Sequence, residues 1–131
     1  MKMFALAAVI VLTQGRTTQD GLYTAAQATR GEATYSRACA SCHAPDLTGD
    51  GQASPLAGKE FTAAWTDQSL GDLFERIRAT MPADAPGTLK RAEVADLIAF
   101  ILQKNAFAEG QNQLPADEKA LKAVKFVPRT P

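Results

Sequence analysis

A chain of 131 residues suffices for one small domain with one core, and its 14 basic and 14 acidic residues balance. That balance argues against nucleic acid as a partner, because a nucleic-acid binder gathers Lys and Arg on one face. No internal repeat or low-complexity segment appears, and beyond residue 12 no apolar run is long enough to cross a bilayer.

Lys2 precedes an unbroken apolar run from Met3 to Leu12, the size of a signal-peptide core and too short for a membrane span. Thr13-Gln14-Gly15 then sets small residues at the positions a signal peptidase reads, so residues 1–15 are expected to be a signal peptide. The alternatives are a buried N-terminal helix or an uncleaved membrane tether. Residues 16–22 are polar, contain Gly21 and read as a flexible leader.

Thr24 and Gln27 have capping-box spacing, so a helix is expected from there to about Cys39. Pro45, Gly49, Gly51, Pro55 and Gly58 make residues 44–58 a loop, and Phe61 to Trp65 a short helical turn beyond it. Ser69 and Asp72 begin a second capped helix with Leu70, Leu73, Phe74 and Ile77 on one face, ending before Pro82. After a loop at 82–89, Val94, Leu97, Ile98, Ile101 and Leu102 carry the strongest helical period in the chain, which should stop near Asn105. A short tail helix is expected over 117–124. No run alternates with period two, so the chain reads as all-α without significant sheet.

Both cysteines and the only histidine fall in one pentapeptide, Cys39-Ala40-Ser41-Cys42-His43. Two thiols spaced by two residues with a histidine directly after them form the attachment site of a c-type haem. Cys39 and Cys42 would bond the vinyl groups, and His43 would lie under the iron as an axial ligand. Zinc would want four ligands where three exist. A thioredoxin-like redox pair would want a neighbouring βαβ pattern, and a structural disulfide across so short a loop would restrain little.

An electron-carrying haem needs both axial positions filled. With no second histidine, methionine is the natural candidate, and only Met81 lies outside the expected signal peptide. Pro82 restricts the residue before it, which suits a ligand carried on a turn. The alternative is Met81 as a core gap-filler. A thioether favours ferrous iron, so His/Met ligation would raise the potential above that of a bis-His site.

These residues resemble class I cytochrome c. Gly31, Tyr35 and Cys39 recur at four-residue intervals, similar to the family's helix glycine, aromatic and first haem cysteine, and Asp96-Leu97-Ile98-Ala99-Phe100 is similar to its final helix. The resemblance covers about Tyr23 to Lys104. A finer likeness, over 56–107, is to bacterial cytochrome domains that accompany periplasmic quinoprotein dehydrogenases. Lys90 departs from it where a Ser or Thr cap is usual, and Ala106 where Gly usually follows the Asn.

The resemblance implies a cytochrome c fold, three main helices around one covalent haem c, with the domain at 23–105 and a C-terminal extension at 106–131 packing on it or docking beside it. It implies that Pro55 lends its carbonyl to the His43 imidazole and that Trp65 packs on the haem, although a loop-forming proline and a plain core tryptophan are the bland alternatives. The activity it implies is that of a soluble periplasmic one-electron carrier, not an enzyme. Electrons would pass from a dehydrogenase or respiratory complex to an oxidase, another cytochrome or other acceptor, as a monomer in transient complexes. The alternatives are a fixed subunit of a dehydrogenase complex, or a haem peroxidase or gas sensor with a labile Met81.

Overall fold

The computed structural model of the chain describes residues 15–130, so the expected signal peptide lies outside the described residues except for Gly15. Six helices follow in order: α1 (Ala25–Ala38), α2 (Ala40–His43), α3 (Lys59–Trp65), α4 (Leu70–Thr80), α5 (Arg91–Lys104) and α6 (Glu118–Lys122). Among the described residues there is no strand, only isolated bridges from Lys125 to Thr17 and to Ser69. The architecture is all-α, with α1, α4 and α5 as its longer members.

Local chemistry sets the helix starts. Ser69 and Asp72 form a complete capping box: the Ser69 hydroxyl accepts from the Asp72 N–H at 3.0 Å, and the Asp72 carboxylate accepts from the Ser69 N–H at 2.9 Å. At α5 only half of this survives. Glu93 accepts from the Lys90 N–H at 2.8 Å, while the Lys90 side chain has no acceptor to offer in return.

At α1 the Thr24 hydroxyl caps the Gln27 N–H at 3.2 Å, but Gln27 does not complete the expected box. Its side chain is buried and exchanges two bonds with Leu114, donating to the carbonyl at 3.1 Å and accepting from the N–H at 2.8 Å. That geometry satisfies a buried amide and a buried peptide group together, which a turn back to solvent-exposed backbone would not.

The core forms where α1 crosses α5. A Cβ on Gly31 would overlap the Asp96 carbonyl and come within 2.9 Å of Phe100 Cβ, so glycine is what lets the two backbones touch. One turn along, the Tyr35 and Phe100 rings pack at 5.3 Å. Residues 97–102 of α5 are all buried, since α1 covers one side of the helix and α4 meets another.

The leader expected to be flexible at 16–22 is instead tied to the tail. Thr18 N–H donates to Lys125 at 3.1 Å, Lys125 N–H donates to Arg16 at 3.0 Å, and the buried Thr18 hydroxyl exchanges bonds with Val127. Each strand-like segment meets the backbone needs of the other, and neither pairing is visible locally. The described part of the extension, 106–130, closes over its own domain, with Phe107, Leu114, Leu121, Val124 and Phe126 entering the common core.

Candidate functional site

The pentapeptide occupies the junction of α1 and α2. Cys39 ends α1, its N–H bonded to the Tyr35 carbonyl at 2.9 Å, and its own carbonyl accepts from Cys42 at 3.2 Å and from His43 at 2.9 Å. This single turn sets Cys39, Cys42 and His43 at helical i, i+3 and i+4 positions, which share one face. Both thiols are free.

Three contacts then fix the turn. Ala44 takes a left-handed φ of 67°, and the Tyr35 hydroxyl donates to its carbonyl at 2.5 Å. Burial, with Cys39 and Asp46 nearby, pushes the Tyr35 phenol up to about 12, so it stays protonated and able to donate. The loop beyond returns over the motif, with Gly49 N–H on the His43 carbonyl at 2.9 Å and Leu56 N–H on that of the buried Leu47 at 2.8 Å.

This return delivers a carbonyl to the His43 ring. Nδ1 lies 2.7 Å from the oxygen of Ser54. A carbonyl can only accept, so Nδ1 carries the proton and Nε2 keeps its lone pair, the form in which imidazole binds a metal. The acceptor is one residue earlier than expected: Ser54, and not Pro55, orients the ring. Pro55 acts through Ser54, because a proline holds the residue before it in extended conformations.

Met81 caps the C-terminus of α4, with its N–H bonded to Ile77 at 3.0 Å and an extended backbone at φ −116° and ψ 151°. Pro82 accounts for that conformation by excluding the helical one. The Met81 side chain is half-buried. Trp65 ends α3, also half-buried, with its ring 6.4 Å from that of Phe61. Among the described residues its indole N–H makes no hydrogen bond.

Asn105 is a positioning residue that helical periodicity cannot reveal. Its amide nitrogen donates to Leu56 at 3.0 Å and to Ile101 at 2.8 Å, and its oxygen accepts from Gly58 N–H at 3.0 Å. One side chain thus ties the loop beyond Ser54 to the end of α5. Helical periodicity is equally silent about Arg78. It lies one turn before Met81 with its Nε buried and unpartnered.

The residues fit a covalently held haem. Ala38, Cys39, Ala40, Leu56, Ala57, Trp65 and Ile77 stand against the core but are only partly buried. They come from the motif, the loop that orients His43, α3 and the helix that carries Met81, so the segments holding the candidate ligands also bring apolar surface that the protein leaves uncovered. Such surface suits a flat apolar ring system. A thioredoxin-type pair is disfavoured, because burial pushes the Cys39 thiol up to about 11, where a reactive cysteine would be shifted down.

The family model described as cytochrome c oxidase, cbb3-type, subunit III matches residues 26–101, more than half of the chain and inclusive of both cysteines, His43 and Met81. No curated protein and no solved structure matches the chain.

Proposed function

The chain belongs to the c-type cytochrome domain family described as cytochrome c oxidase, cbb3-type, subunit III, and from that premise we propose a one-electron carrier of the periplasm whose haem c is held by Cys39, Cys42, His43 and Met81. As a member of that family it is an electron-transfer protein rather than an enzyme, and its cofactor is one haem c. The haem supplies a reversible one-electron couple, and the protein sets its potential, access and docking.

One observation carries the ligand assignment: the Ser54 carbonyl holds the His43 ring by Nδ1, which leaves Nε2 for iron on the same turn that presents both thiols. Tyr35, through the Ala44 carbonyl, keeps that turn closed. Met81 is proposed for the opposite face, since the chain has no second histidine and the remaining methionines belong to the proposed signal peptide. A site closed on both faces excludes exchangeable water and suits transfer over chemistry.

The visible spectrum of the purified protein, with and without carbon monoxide, tests this reading. The expected result is a low-spin haem c with a methionine-to-ferric-iron band and no reaction with carbon monoxide. Met81→Ala should abolish that band and open the iron to carbon monoxide. An unchanged spectrum in Met81→Ala overturns the ligand, and a colourless wild type overturns the function.

The matched family's description names an oxidase subunit, which favours a second reading in which the chain is held in a larger redox complex. Copurification separates the two: a lone soluble species supports the carrier, and a stable membrane-bound or multisubunit partner supports the second reading. Among the described residues no helix is long and apolar enough to cross a membrane.

A further inference from the structure

We propose that Arg78 binds a propionate carboxylate of the haem and so positions the group beside Met81, an assignment that rests on the haem reading above. Arg78 lies in the last turn of α4, four residues after Phe74 and three before Met81. Those spacings put it on one helix face with buried Phe74 and half-buried Met81, beside Ile77 at the core border.

Its Nε is the one buried side-chain polar atom among the described residues without a hydrogen-bond partner. Several other cations of the fold meet a carboxylate. Arg30 meets Asp96, Arg37 meets Glu93, and Lys122 meets Glu75 and Glu118, whereas Arg78 joins no ion pair or hydrogen bond among the described residues. A guanidinium has five N–H donors, no acceptor and a permanent charge, so withdrawing part of it from water is unfavourable unless an acceptor meets it.

A positive charge in the last turn of α4 also complements the helix dipole, but that role needs no buried nitrogen. What matches a planar fork of donors is a carboxylate, bound in bidentate fashion. Among the described residues no carboxylate lies within ion-pair distance of Arg78, and its Nε has no partner. The haem brings two carboxylates, and among the side chains that border the core only Trp65 carries a nitrogen donor, a single neutral indole N–H against the charged fork of a guanidinium.

The test is the reduction potential of the holoprotein as a function of pH, for wild type, Arg78→Gln and Arg78→Lys. Ionisation of a propionate bends that curve. Loss of the neighbouring cation in Arg78→Gln should move the bend upward by about one to three pH units. On its alkaline side the potential should fall, because a positive charge favours the reduced iron. Arg78→Lys keeps a charge without the fork and should give a smaller upward move. That variant decides the matter if Arg78→Gln does not accumulate with haem.

A bend and potential unchanged in the variants, with the methionine-to-iron band intact, overturn the assignment. So does a variant that alters only the salt dependence of electron exchange with a partner, which would place an external carboxylate on Arg78. Absence of haem from the wild type, read by its pyridine haemochrome, would instead refute the proposed function.

Discussion

Ala106 adopts a left-handed φ of 61° just beyond α5, where a Cβ crowds the backbone. The conformation is imposed by the way the helix stops: Ala106 N–H bonds to Gln103 and Phe107 N–H to Leu102, both at 3.0 Å, the two bonds of a Schellman motif. Phe107 then enters the core, and its carbonyl accepts from the buried Tyr23 hydroxyl at 2.6 Å. The left-handed geometry costs alanine about 1–2 kcal/mol, while glycine would lose about 0.4–1 kcal/mol more chain entropy on folding. Ala106→Gly should therefore gain about 0.5–1 kcal/mol, seen as a melting temperature a few degrees higher with the haem spectrum unchanged. The departure was legible in sequence as an alanine at a glycine position. Its sign follows from the backbone angle.

At the scale of elements, the α1–α5 contact governs the placement of the haem motif, because Cys39 ends α1. Gly31 makes that contact, with the Arg30–Asp96 ion pair beside it and Arg37–Glu93 further along. Alanine at position 31 would gain about 1 kcal/mol of helix propensity. It would also drive a methyl into the Asp96 carbonyl, and backbone cannot swing aside as the end of a long side chain can. Overpacking of this kind costs about 1–3 kcal/mol, and a rigid obstacle puts it at the upper end. Gly31→Ala should thus lose about 2 kcal/mol net, measured as a lower urea midpoint. Unchanged or raised stability would mean that the helices do not cross this closely.

For the whole molecule, the tail is part of the domain it encloses. Phe126 is 1% exposed, and its ring packs edge-on against Phe61 at 5.8 Å and Phe107 at 5.5 Å. Its backbone bonds to Gln68 at 2.7 Å and to Asp67 at 3.1 Å, so the chain end joins the α3–α4 connection to the start of the described chain. Phe126→Ala should cost about 3–5 kcal/mol, a large share of the 5–15 kcal/mol that holds a typical domain together. Calorimetry would register the loss, and hydrogen exchange should report faster opening at Thr18 and Lys125. Stability within about 1 kcal/mol of wild type would show the tail to be an appendage.

The residues of this sequence determined by themselves whatever depends on near neighbours. Cys39, Cys42 and His43 lie within one turn, Ser69 and Asp72 cap over three residues, and the period of Val94 to Leu102 marks a buried helix; spacing alone specifies each. Tertiary structure decided the rest: that the Ser54 carbonyl rather than that of Pro55 accepts the imidazole hydrogen bond, that Gln27 pairs with Leu114, and that residues 16–18 are clasped by the tail. These are hydrogen bonds between groups distant along the chain, or a choice between adjacent carbonyls. A carbonyl's direction and a buried group's partner follow from how the backbone returns to a place, and residue type leaves no local trace of either.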